Sequence, residues 1–187
     1  ALGEAYLDQI DLLVWKASER DNFVEDVQAM RRRVEGHVRV QDADRQLKLG
    51  AGGLRDVEFS VQLLQLVHGR VDSRLRTPNT WMGLESLSTY GYVGRADAAE
   101  MDRAYRMLRA LEHRIQLYRM QRTHVLPSGE DDLRRLGRSF GFRNHPAQQL
   151  TQLWRKHALE VRRLHEKLFY RPLLAAAARL STDEARL

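Results

Sequence analysis

Apolar residues along this chain recur at spacings of three and four, and no stretch alternates with the period of a strand, so the pattern predicts an all-α fold. An opening helix is expected over about Ala5 to Lys16. Asp21 or Asn22 is placed to cap a second helix, on which Val24, Val27, Met30, Val34 and Val38 make one stripe. A polar connector from Arg39 to Gln46 leads to a glycine-rich segment. The helix after it carries Leu54, Val57, Val61, Leu64 and Val67 on one side and should stop at Gly69. Thr77-Pro78-Asn79 opens a short helix with Trp81, Leu84 and Leu87, closed by Gly91 or Gly94. The longest pattern starts at Asp97 and runs through Met101, Tyr105, Leu108, Leu111, Ile115 and Tyr118. His124 to Gly129, containing Pro127, reads as a turn. A helix from about Glu130 ends at Gly141. A last long one has Pro146 in its first turn and carries Leu150, Leu153, His157, Val161, Leu164 and Leu168 before Pro172 interrupts it.

Long helices joined by short polar turns predict an antiparallel bundle of about five to seven helices, each burying one stripe against its neighbours. A single domain is expected over residues 1–187, long enough to bury a substantial core. Leading helices and connector occupy 1–46, the glycine-rich motif and its helix 47–70, and the remainder of the bundle 71–172. A tail or linker follows over 173–187, including the run Ala175 to Ala178.

Composition narrows the chemistry. With no cysteine there is no disulfide framework, thiolate zinc site or thiol nucleophile, which fits a reducing cytoplasm. No apolar run approaches the roughly 20 residues of a membrane span, and the first residues lack a signal pattern. The chain begins in helix-like sequence without a methionine, so a piece of a longer protein is expected. The formal net charge of +6 raises the question of nucleic acid. The arginines are dispersed, however. Arg31-Arg32-Arg33, Arg134-Arg135 and Arg162-Arg163 fall on separate helices among Glu35, Asp131, Asp132 and Glu166, the pattern of a solvated surface. The seven histidines include no His-x3-His ligand face. His113 and His157 lie on or near apolar stripes, as core histidines do, and Trp15, Trp81 and Trp154 fall on packing stripes.

Gly50-Ala51-Gly52-Gly53 departs from plain bundle physics. Three glycines in four residues are costly in conformational entropy, but they permit positive φ and close approach of a ligand or another chain. A helix begins immediately afterwards, and the free N–H groups and positive dipole end of a first turn suit an anion such as a phosphate. Lys48 before the loop and Arg55 just inside the helix can add positive charge. Asp56 and Glu58 point about 200° apart on an ideal helix and cannot share a metal, whereas Arg55 and Glu58 are spaced to pair. Spacing alone leaves two readings open: a phosphate-facing loop, or an ordinary helix start with favourable first-turn acids.

The run Lys48-Leu49-Gly50-Ala51-Gly52-Gly53-Leu54-Arg55-Asp56-Val57-Glu58-Phe59, followed by Gln62 and Gln65-Leu66-Val67-His68-Gly69-Arg70, closely resembles the K-L-G-x-G-G-[IL]-R-[DE]-[IV]-E-F signature of the glutamine synthetase adenylyltransferase family. Leu108-Arg109-Ala110-Leu111-Glu112-His113-Arg114-Ile115-Gln116 and Gln121-Arg122-Thr123-His124-Val125-Leu126-Pro127 resemble the family's later helix and the turn after it. The likeness covers about Phe23 to Tyr170. It implies a helical domain that follows a nucleotidyltransferase domain in a bifunctional enzyme, one half adding AMP from ATP to glutamine synthetase and the other removing it by phosphorolysis. The Arg-Asp-Val-Glu-Phe form and the ending Leu164 to Leu174 resemble the amino-terminal, adenylyl-removing half.

The resemblance further implies Mg and ATP as cofactors of the parent enzyme, held mainly by the other domain, with glutamine synthetase and the PII signal protein as partners. It places Lys48, Gly50, Gly52, Gly53, Arg55, Asp56 and Glu58 on the wall of the active cleft. Arg55 would be the phosphate or acid partner, oriented by Glu58, with Asp56 facing the catalytic domain. Nucleotidyltransferases of this type hold two metals with an Asp-x-Asp pair on a strand after a Gly-Ser turn. This sequence has no Gly-Ser, and its Asp42-Ala43-Asp44 sits in the polar connector. The chain alone is therefore expected to be inactive. A basic docking module without an active-site role is the competing reading, with nucleic-acid binding a third.

Overall fold

The computed structural model describes residues 2–170, and most of these are helical. Helix α1 (Leu2–Lys16) is followed by α2 (Phe23–Gly36), α3 (Leu54–His68), α4 (Thr80–Thr89), α5 (Arg95–Arg119), α6 (Glu130–Ser139) and α7 (Pro146–His165). The last helix runs on into a single π-helical turn, Glu166–Tyr170. Among the described residues the β structure is one antiparallel bridge, Gln46 to Val125. The tail expected over 173–187 and the break at Pro172 lie outside the described residues.

Local signals set several boundaries. The Asn79 side chain caps α4 by accepting from the Met82 N–H at 3.1 Å. Pro146 stands in the first turn of α7, where a missing N–H costs nothing. Gly69 caps α3 and returns its N–H to the Gln65 carbonyl.

Helix α7 is the organising element, packed against α5, α6 and α3, while α4 lies against α3 and α5. The main core is aliphatic: Leu54, Val57, Val61 and Leu64 of α3 meet Leu84 and Leu87 of α4, Met101, Leu108 and Leu111 of α5, and Leu150, Trp154, Val161 and Leu164 of α7. A smaller cluster, Phe23, Leu63 and Phe169, joins the start of α2 to α3 and the π-turn.

Several stripe ends come out at the surface. Val67, Trp81 and Tyr118 are exposed, and Arg106 and Arg135 stack on the rings of Trp81 and Tyr118 at 4.4 and 4.3 Å. Helix α2 departs further. Met30, expected inside, is 44% exposed, and the buried positions are Phe23, Gln28 and Arg31. The face of α2 that meets the bundle is therefore partly polar, because a buried acid on α3 waits there for Arg31. Among the histidines, His113 is exposed and His157 is half-buried against Glu160 at 2.8 Å. The fully buried histidine is His165.

Candidate functional site

The glycine-rich loop arrives between the Val40–Arg45 3-10 helix and α3, and its backbone satisfies itself. The Gly53, Leu54 and Arg55 N–H groups donate to the Gly50, Leu47 and Lys48 carbonyls at 3.0, 2.9 and 3.0 Å, and the Asp56 N–H donates to Gly53. The first-turn donors that could have received an anion are thus engaged by the loop itself, which removes the helix-start basis for a phosphate. Gly52 has φ +73°, and a Cβ there would lie 2.0 Å from the Ala158 carbonyl oxygen of α7. Close approach is indeed the reason for this glycine, and the approaching group is a neighbouring helix.

Asp56 turns inward. Its Oδ2 accepts from the Gly52 N–H at 2.6 Å, and its Oδ1 meets the Arg31 guanidinium at 2.6 and 2.8 Å. Arg31 also reaches the Leu49 and Gly50 carbonyls at 3.3 and 3.4 Å. Neither side chain retains exposed surface, so the aspartate expected to face another domain instead clamps loop, α2 and α3 together.

His165 completes this cluster. Its Nε2 lies 3.3 Å from Asp56 Oδ1, its Nδ1 is 2.8 Å from Ser60 Oγ, and its ring stacks on Phe169. Burial first, then the positive charges of Arg31 and Arg162, push the imidazole down to about 3, so it is neutral at physiological pH. Burial pulls the Asp56 carboxyl upward, against Arg31 and the Gly52 N–H, which favour its ionised form. Arg31 and His165 carry no motif of their own in the sequence, and an arginine at a buried-facing position of α2 is the one readable signal.

The outward side of the motif is different. Arg55 Nη1 bonds Glu58 Oε2 at 2.7 Å, as the spacing anticipated, with the Arg55 side chain 40% exposed and that of Glu58 12% exposed. Lys48 Nζ lies 3.5 Å from Oε1 of Glu112 on α5. The same Oε1 takes the His124 Nδ1 at 2.7 Å, and Oε2 takes Arg109 at 2.7 Å. The two segments carrying family signatures therefore meet in space. Their backbones are joined as well: the Leu47 N–H donates to the His124 carbonyl and the Leu126 N–H to that of Arg45, each at 2.8 Å.

Asp42, from the Asp-x-Asp pair, bonds Arg45 within its own 3-10 helix at 3.1 Å. Among the described residues no three His, Cys, Asp or Glu side chains converge as a metal site, so the donor set here does not fit Mg. No helix among them is long and apolar enough to cross a membrane.

The described residues thus form an all-helical fold built round α7, with the glycine-rich loop and the later turn joined by backbone hydrogen bonds. The chain belongs to the GlnD PII-uridylyltransferase family, whose model matches residues 25–169. It is 60% identical over 186 residues to the bifunctional glutamine synthetase adenylyltransferase/adenylyl-removing enzyme of Streptomyces coelicolor, covering 100% of this chain and 19% of that protein. The same-named enzymes of Corynebacterium efficiens and Mycolicibacterium smegmatis are 50% and 53% identical over 192 and 179 residues, covering 100% and 92% of this chain and 18% of each enzyme. The chain thus spans 19% or less of these relatives' lengths.

Proposed function

We propose that this chain is the accessory helical domain of a bifunctional enzyme that adds adenylyl groups to glutamine synthetase and removes them, and that it lines the active cleft of a nucleotidyltransferase domain. The observation that carries this reading is the meeting of the two signature segments, Lys48 with Glu112 and, through it, His124, with Lys48, Arg55, Arg109 and His124 each partly open to solvent. Arg55, oriented by Glu58, is the group offered to a phosphate or acid of the substrate. Gly50, Gly52, Gly53 and Asp56 shape and brace the wall from behind. ATP and Mg belong on this reading to the neighbouring domain. Glutamine synthetase is the protein substrate, PII signal protein a candidate effector, and the adenylyl-removing half the parent unit.

The docking alternative would use Arg162 and Arg163. Arg162 pairs with Glu166 and Glu35, and Arg163 with Glu100, so both charges are largely answered within the domain. That favours the cleft reading. The test is Arg55→Ala in a protein containing this chain and the adjoining nucleotidyltransferase domain. Deadenylylation should fall with little change in folding. Unchanged deadenylylation together with unchanged nucleotide affinity would remove the proposal.

A further inference from the structure

Lys48, Arg109 and His124 share one carboxylate, and from their arrangement we infer a phosphoryl-binding site. Glu112 is 2% exposed at its side chain and is the single acid among them. One buried negative charge thus positions two permanent cations and an imidazole, and a positive excess remains. A buried acid of this kind fixes its donors in advance, so a ligand need not order them. The His124 ring is held through its Nδ1, 2.7 Å from Glu112 Oε1 and 3.4 Å from the Gln116 amide nitrogen.

Each cation retains donors beyond the one given to Glu112. Arg109 has the remainder of a planar fork suited to two phosphoryl oxygens, and Lys48 a three-donor ammonium. All three remain reachable, with 21% of the Lys48, 36% of the Arg109 and 24% of the His124 side chain exposed. The first turn of α3 contributes nothing, because its N–H groups are spent on the loop carbonyls. The ligand chemistry is that of a phosphoryl dianion, carried either by inorganic phosphate or by a nucleoside monophosphate. Its place in catalysis rests on the cleft reading above, but binding requires only this chain.

The experiment follows the His124 imidazole by 1H–15N NMR in the 187-residue chain while inorganic phosphate or AMP is added at constant ionic strength. Both should shift its resonances saturably, and matched acetate should not. Lys48→Met and Arg109→Gln should each weaken binding about tenfold, the loss expected for one charge-assisted hydrogen bond. Arg109→Lys, which keeps the charge without the fork, should fall between, and dispersed amide spectra verify folding. Tighter binding of AMP than of phosphate assigns the site to a nucleotide, and equal binding to free phosphate. Resonances unmoved by either, moved equally by acetate, or unaffected by the substitutions in folded variants overturn the inference. Phosphate binding alongside an Arg55→Ala variant of normal activity would keep this site and discard the cleft reading, so the two can fail separately.

Discussion

Arg31 of α2 and Asp56 of α3 form an ion pair of 2.6 Å in which neither side chain retains exposed surface. The pair joins a helix whose apolar stripe is largely peripheral to the loop on which the family signature rests. Removing one member leaves the other charge buried without its counterpart, which is costlier than never having built the pair.

Asp56→Asn should therefore lower unfolding free energy by about 3–5 kcal/mol, read by urea denaturation. A double replacement, Arg31→Met with Asp56→Leu, should recover part of that loss, because no unpaired charge then remains. If Asp56→Asn costs nothing, the clamp is not a stabilising element.

Gly52→Ala combines a left-handed backbone with a Cβ placed 2.0 Å from the Ala158 carbonyl oxygen. The loop must withdraw from α7, and a loss of about 2–4 kcal/mol is expected from strain and overpacking together. Gly91→Ala isolates the first contribution. Gly91 has φ +84° with nothing within 4 Å of where a Cβ would stand, so about 1 kcal/mol is expected there. Equal losses at the two sites would show that the contact with α7 is not what requires Gly52.

Acid should weaken the fold through His165. Its folded-state value of about 3 lies below the ordinary 6.5, so the unfolded chain binds a proton first as pH falls. Stability contributed by the neutral, buried ring is complete above about 6.5 and declines as pH drops from there toward 3. By pH 5 the loss is about 2 kcal/mol. Asp56, raised from 3.8, opposes this lower in the range, since its folded form takes up a proton more readily than the unfolded one. Thermal unfolding at pH 7 and pH 5 checks the sign, and His165→Gln should flatten the difference.

Glu112→Gln removes the counter-charge shared by Lys48, Arg109 and His124. The basic groups are partly solvated, so the expected cost is about 1–3 kcal/mol, not the larger figure for a fully buried pair. Urea midpoints of the variant and of Glu112→Asp measure it, with the aspartate falling between because its shorter arm keeps the charge and loses reach.

The helices themselves are readable from local rules. Pro146 opens α7, Asn79 caps α4, Gly69 closes α3, and Leu54, Val57, Val61 and Leu64 are all inside, because capping and apolar periodicity act over a few residues and need no knowledge of the rest of the chain. The Arg55–Glu58 pair is readable for the same reason, being three residues apart on one helix. Met30 and Trp81 lie outside where the stripes predict them inside, because periodicity reports which residues share a face, and not how far the neighbouring helix extends over that face.

What the sequence determined by itself is the all-helical class, the boundaries of most helices and, through the Lys48 to Phe59 signature, the family. What only the tertiary structure decided is the direction each polar group of that signature takes. Asp56 goes inward to Arg31 and His165, 25 and 109 residues away in the chain, the latter separation being 165 minus 56. Lys48 goes across to Glu112 and His124, and Gly52 answers to Ala158. Charge pairing and close packing depend on separation in space, and chain folding brings together residues whose order in the sequence carries no record of that separation.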